Sequence, residues 1–441
     1  MDRSSMGTAF LNWHGVLPVE WKSVKLRHLL TNLLAGNWGS DPGESEVDRY
    51  CARIADFDWN LLEIRDAVIK TTRSYTWEQA QRFALKSGDI LVEKSGGGEK
   101  HPVGRCVQYR GDMQPTFANF AMRLRPNEMV SSGFLRFALA ASYYRGHSWK
   151  ILNQTTGIQN LDVPAFRSSP IPLPALQEQE KIVEFLESKT AEIDALIEKL
   201  SLQMELLERY RRELIARTVT RGLNPDVPMR DSGIVWVGFA PAHWVPVNGK
   251  TIFARSAEFE RAGDIHLTPS QALGVLPQEQ FIAKTGVKPT LKLSETGRMR
   301  HVEPGDFVIH LRSFQGGLEY SKYRGKVSAA YTVITPRQEG LVDRGFFRFL
   351  FKSSHFISYL ASLTSQLRDG QSINFKVFSK TSYVLPPIDE QRDIATYLGR
   401  KTSKIDSTVS GIRKQIELLG KYRKQVINDA VTGKVRVGEV A

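Results

Sequence analysis

The side chains best equipped for recognition chemistry sit in two pairs of short polar loops. The late pair is Asn153-Gln154-Thr155-Thr156-Gly157-Ile158-Gln159 and Ser365-Gln366-Leu367-Arg368-Asp369-Gly370-Gln371. The early pair is Lys94-Ser95-Gly96-Gly97-Gly98-Glu99-Lys100-His101 and Arg312-Ser313-Phe314-Gln315-Gly316-Gly317. A carboxamide offers a donor and an acceptor side by side, and a guanidinium offers a fork of donors. Such groups suit hydrogen-bonded recognition and not bond making. Gln154 matches Gln366 and Gln159 matches Gln371 at an offset of 212, while most residues around them differ. A shared frame with changed side chains suits two readers of different targets.

Groups that make or break bonds are not evident. There is no G-x-x-x-x-G-K-[ST] phosphate loop, and Gly96-Gly97-Gly98 alone is weak evidence of one. The histidines are scattered, and His301 and His310 lack cysteine or carboxylate at metal spacing. Asp389-Glu390 opens a helix, where acidic groups favour the dipole, and its counterpart is Gln177-Glu178. No N-P-P-Y-type pocket or nuclease cluster of acids and lysine is present. We expect no catalytic residue and no metal site.

The lone cysteines, Cys51 and Cys106, cannot staple a chain of 441 residues, so we expect free thiols and a cytoplasmic location. No run approaches the ~20 apolar residues of a membrane span. The opening MDRSSMGTAFLNWHG lacks a basic segment followed by an apolar one, so neither a span nor a signal peptide is expected. The net charge of +13 is uneven: residues 1–170 carry +4, 171–222 carry −2, 223–384 carry +7 and 385–441 carry +4. The excess lies mostly outside residues 171–222, which fits phosphate contact by the segments between them.

The elements that must position these loops occur twice. Leu173 to Thr220 returns as Leu385 to Thr432, again at an offset of 212, with Glu178/Glu390, Lys189/Lys401, Asp194/Asp406 and Tyr210/Tyr422 in step. Trp13-x-Gly15-x-x-Pro18-x-x-Trp21 returns as Trp236-x-Gly238-x-x-Pro241-x-x-Trp244, offset 223. Gly88-Asp89-Ile90 and Gly305-Asp306-Phe307 each open a β-rich run, offset 217. Further strands are expected around Arg105–Arg110, Phe120–Arg125 and Lys326–Thr335. Helical patterns begin at Phe134-Leu135-Arg136-Phe137 and Phe346-Phe347-Arg348-Phe349 and run to Tyr144 and Leu360. The tryptophans read as packing anchors.

Each repeat ends in a short helix, a break, and a long helix. Thr190 and Thr402 are the expected N-caps of the long helices, and Pro174 and Pro387 precede the short ones. Ile193, Ile197, Leu200, Met204, Leu207 and Leu214 form a seven-residue seam, as do Ile405, Val409, Ile412, Ile416, Leu419 and Val426. Arg211 and Arg423 interrupt the two seams at matching places. An exposed seam needs a partner, and the expected partner is the other repeat. The alternative is that each docks on another protein. The fold class expected is α+β: two repeated mixed α/β domains separated by two long antiparallel helices under a pseudo-two-fold. The boundaries are 1–172, 173–222, 223–384 and 385–441.

The L-P-x-x-x-E-Q opening, the K-T-x-x-I-D stretch and the V-T ending, in duplicate after G-D-[IF] domains, resemble the specificity subunit of type I restriction–modification enzymes. The resemblance covers residues 13 to about 434. It departs where Arg221-Gly222 stands for the usual Thr-Gly, which Thr432-Gly433 keeps. It implies two target-recognition domains, each reading half of a split double-stranded DNA site. It implies helices that space them and dock two methyltransferase subunits, with motor-nuclease subunits added for cleavage. S-adenosylmethionine, ATP and magnesium then belong to the partners, with no cofactor in this chain. Glutamine can read adenine, and arginine or lysine guanine. The candidate DNA contacts are Lys94, Ser95, Lys100, Gln154 and Gln159 in the first half. Those in the second are Arg312, Ser313, Gln315, Gln366, Arg368 and Gln371. The rival readings are a self-contained DNA methyltransferase or nuclease, and a scaffold that binds no DNA.

Overall fold

The structure is a computed structural model and describes residues 12–155, 158–271, 273–289, 298–310, 317–364 and 375–437. The chain divides into two compact units, Met1–Ser201 with Lys414–Ala441, and Leu202–Arg413. Each unit takes one part of each long helix.

The first unit is built on a five-stranded sheet. Its order is Leu30–Ala35, Ala121–Pro126, Ile90–Glu93, Cys106–Tyr109 and Glu63–Ile64. Only the last pairing is parallel. The helix Ser132–Tyr144 covers one face, and Phe134, Leu135 and Phe137 pack with Ile90, Val92 and Leu124 in the main core. Strands Thr72–Tyr75, Val47–Ala52 and Thr116–Phe117 form a smaller sheet.

The second unit has a four-stranded antiparallel sheet, ordered Phe253–Arg255, Thr332–Pro336, Phe307–Ile309 and Leu318–Tyr320. This is the order of the first four strands of the first unit's sheet. Its core is aromatic, with Phe253, Phe307, Phe347, Phe351 and Tyr383 packed edge to face. The pattern from Phe346 to Leu360 is two helices and not one: Arg344–Leu350 and Ser354–Thr364. Ser353 lies between them, and its hydroxyl accepts the Phe356 N–H at 3.4 Å, as a helix cap does.

The Gly-Asp turns have one local cause in both units. Gly88 and Gly305 take φ of +92° and +98°, where a Cβ is strained. The following carboxylate then closes the turn: Asp89 accepts the Lys86 N–H at 2.8 Å, and Asp306 the Glu303 N–H at 2.9 Å.

The expected break before each long helix is absent. Leu176–Arg221 is one helix of 46 residues and Ile388–Val431 one of 44. Thr190 and Thr402 cap nothing. Each is buried inside its helix, and its hydroxyl donates to the carbonyl one turn back, Leu186 at 2.6 Å and Leu398 at 2.7 Å. That bond satisfies the hydroxyl without interrupting the helix.

All the seam residues are buried or partly buried, from Ile193 and Val409 in the interior to Leu200 and Leu419 at its margin. Inside the first unit, Ile182 and Leu186 share a core with Ile427 and Val431, while Asp194 pairs with Arg423 at 2.8 Å. Inside the second, Ile215 and Val219 share a core with Ile394 and Leu398, while Arg211 pairs with Asp406 at 2.8 Å. In both, rising numbers on one segment meet falling numbers on the other, so the segments run antiparallel.

Candidate nucleic-acid interface

The tryptophan motif and the Leu-Pro…Glu-Gln motif meet in space, once per unit. The Trp13 indole donates to the Pro170 carbonyl at 2.7 Å, and Trp236 to the Ser382 carbonyl at 2.9 Å. Trp21 donates to Glu178 Oε2 and Trp244 to Glu390 Oε2, each at 3.1 Å. The neighbouring glutamines are fully enclosed. Gln179 accepts the Ser131 N–H at 2.8 Å and donates to the carbonyls of Met129 and Pro174. Gln391 does the same with Asp343, Leu341 and Pro386. These partners differ by 212 throughout. Strand pairs Lys22–Lys25 with Pro170–Leu173, and Val245–Asn248 with Ser382–Leu385, complete the frame.

On this frame the first unit brings its two candidate loops together. Residues Leu152–Thr155 and Ile158–Leu161 form a hairpin in which Gln154 faces Gln159 across the ladder. The Leu161 N–H donates to the Lys94 carbonyl at 2.8 Å, and the Gly96 N–H to the Gln159 carbonyl at 3.0 Å. The Ser95 hydroxyl donates to Asn160 Oδ1 at 2.6 Å. The Lys94 and Ser95 N–H groups both donate to the Phe120 carbonyl. Lys94 and Ser95 are half-buried here, and Lys100 is exposed.

Gln159 departs from its expected place on the surface. It is 2% exposed, and its Oε1 has no partner among the described residues. A Cβ at Gly97 would lie 3.0 Å from that oxygen and 2.7 Å from the Val103 nitrogen, so only glycine lets the loop lie this close. The alternation of a strand decides this: in a two-residue period one of two neighbours faces inward. Asn160 and Phe120, which sequence reading passed over, hold the loop instead. Nothing in their spacing marks them, because the contact is made across 65 residues for Asn160.

In the second unit Arg312, Ser313, Gln315, Gln366, Arg368 and Gln371 lie outside the described residues. The flanking strands are placed. Phe307–Ile309 pairs with Leu318–Tyr320, and the His310 N–H closes the ladder on the Gly317 carbonyl at 3.0 Å.

Residues 64–206 match the family model of the type I restriction modification DNA specificity domain. A putative type I restriction enzyme MjaX specificity subunit of Methanocaldococcus jannaschii is 23% identical over 96% of this chain and 95% of its own length. Among solved structures, the HsdS subunit of Thermoanaerobacter tengcongensis aligns over 95% of this chain and 98% of its own, with TM-score 0.54 and 16% identity. A chain from a study of assembly and conformational transition in the type I R-M system aligns over 95% and 100%, with TM-score 0.65 and 16% identity. The structural likenesses are of fold. The fold and the matched segment thus define a DNA specificity module of the type I kind. Relatives of that name match from end to end, so this chain is similar over nearly its whole length to type I restriction–modification specificity subunits. The comparisons lend nothing to the rival reading as a self-contained methyltransferase or nuclease.

Proposed function

We propose that this chain is the DNA sequence-specificity subunit of a type I restriction–modification complex and carries no catalytic site of its own. Residues 1–172 and 223–384 are two target-recognition domains under a pseudo-two-fold. Each reads one half of a bipartite site in double-stranded DNA. The helical stretches 173–222 and 385–441 set the unread gap. The observation that carries this reading is the duplicated clamp: the Trp–Glu and Gln–backbone bonds recur in both units, the latter at a constant offset of 212, while the loops they support differ.

In this reading Lys94, Ser95, Lys100 and Gln154 meet DNA in the first half. Arg312, Ser313, Gln315, Gln366, Arg368 and Gln371 do so in the second. Two methyltransferase subunits dock on the helices, and motor-nuclease subunits join for cleavage. S-adenosylmethionine, ATP and magnesium are bound by those partners, in the cytoplasm. Support for two like docking places comes from Leu206 with Tyr210 and Leu418 with Tyr422. Each pair stands one turn apart on one helix face, and all four side chains are exposed.

The test is to purify the chain, measure DNA binding and adenine methylation alone, and repeat both with the cognate methyltransferase subunit. Sequence-selective binding with methylation only in the mixture is expected. Methylation by the chain alone overturns the reading. As gap spacer, a helix of 46 residues spans about 69 Å at ~1.5 Å per residue. A short insertion near Leu202 is expected to change the recognised spacing, and an unchanged spacing removes the helices from that role.

A further inference from the structure

The first unit carries a pocket that neither the loop candidates nor the clamp accounts for. It is an open cavity of about 410 Å³ lined by Trp38, Arg53, Ile54, Ala55, Ala118, Asn119 and Phe120. Its aromatic residues are open to solvent, Trp38 at 37% and Phe120 at 49%. Two exposed rings on one recess form a contiguous apolar patch, and such patches mark binding surfaces.

The backbone behind both rings is held in place, and the Trp38 ring is also covered by a guanidinium. The Trp38 carbonyl accepts the Tyr75 hydroxyl at 3.3 Å and Arg73 Nε–H at 3.1 Å, and the Arg73 guanidinium lies 4.7 Å from the indole centre. The Phe120 carbonyl accepts the Lys94 and Ser95 N–H groups at 2.7 and 3.2 Å. The pocket is therefore continuous with the loop that holds the first half's candidate contacts.

The lining says what fits. Ile54, Ala55 and Ala118 give apolar surface, while Arg53, paired with Asp56, stands at its edge and Arg73, paired with Asp41, lies against the Trp38 ring. An apolar recess joined through Phe120 to the loop of the candidate DNA contacts matches a small apolar group displayed on DNA. On a DNA duplex the apolar group displayed in the major groove is the 5-methyl of thymine, and alanine and phenylalanine are among its usual contacts. Resting on the reading of residues 1–172 as a DNA-recognition domain, we propose that this pocket receives the 5-methyl of a thymine in that half-site. Trp38 and Phe120 are then specificity-determining residues.

The test uses the full chain. A library of randomised duplex DNA gives the selected site, and each thymine in it is then replaced by uracil. Wild type loses about fourfold in affinity at one thymine, the worth of one buried methyl. Trp38→Ala and Phe120→Ala bind thymine and uracil duplexes alike at that position and keep their selectivity in the other half-site. Phe120→Leu with an unchanged melting transition separates loss of the pocket from loss of the fold. Wild-type indifference to the methyl at every thymine overturns the pocket and leaves the bipartite reading standing. So does a methyl effect that survives in both alanine variants. A wild-type chain that selects no sequence overturns the functional reading, and the pocket with it.

Discussion

Arg423 and Asp194 form a two-point ion pair, Nε to Oδ1 at 2.8 Å and Nη2 to Oδ2 at 3.0 Å. Arg423 also reaches the Asn60 carbonyl, so it ties the last helix to the central helix and to a domain loop. Its repeat mate Arg211 pairs with Asp406, the repeat mate of Asp194. The two residues that break the apolar seams are thus each other's equivalents.

Their surroundings differ, and so do the expected costs. The Arg423 side chain is 10% exposed, whereas those of Arg211 and Asp406 are 36% and 57% exposed. Arg423→Ala strands a partly buried carboxylate and a carbonyl, and is expected to cost about 2 kcal/mol. That is about 4–8 °C in a melt of a domain this size. Arg211→Ala removes a largely solvated pair and should cost under about 0.5 kcal/mol. Thermal melts of the two variants check the contrast, and equal losses would contradict it.

Gln179→Ala and Gln391→Ala should be nearly equivalent. Each deletion leaves a backbone N–H and two carbonyls without a partner in an enclosed place. A cost of about 2–4 kcal/mol is expected for each, since desolvated groups then go unpaired. Urea unfolding measures it. A glutamate at either position should be no better, because it cannot donate to the two carbonyls.

Stability of the second unit should fall in acid. Asp264 and Glu303 meet the two ring nitrogens of His301 at 2.7 and 2.8 Å. The His301 hydrogen bond is the main cause holding the Glu303 carboxyl below its usual range. At Asp264 burial acts upward, but the Arg261 N–H and His301 outweigh it and the carboxyl is also lowered. A lowered carboxyl contributes stability above its unfolded value and loses it as pH falls through the folded one. The loss is therefore expected below about pH 4. His301→Ala should flatten that slope. Urea midpoints across this range decide it, and a loss equal at every pH would give His301 a packing role alone.

Both cysteines should resist alkylation in the folded chain. Burial pushes the Cys106 thiol up to about 12 and raises Cys51 as well. The thiolate is the reactive form. Iodoacetamide should label native protein at least about a hundredfold more slowly than protein in urea. Fast native labelling at Cys106 would mean that the core around Phe137 opens.

Much of this scaffold was legible because its rules are local. Gly88 and Gly305 needed only a turn that favours glycine, and the seams only a seven-residue period. The continuous helices were not legible. Thr190 and Thr402 look like caps in sequence, since an isolated hydroxyl prefers a helix start. Only the surrounding helix shows that the hydroxyl is satisfied one turn back.

By itself the sequence determined the duplication, the strands after the Gly-Asp turns, the apolar seams and the family resemblance, because each depends on residue type at short or constant spacing. The tertiary structure decided which side chains face outward and what they touch. Gln159 turned inward beneath Gly97, Asn160 took the Ser95 hydroxyl, and Trp38 and Phe120 came to line one pocket. Those outcomes depend on strand register and on contacts between distant segments, and a one-residue change of register exchanges the buried and exposed faces.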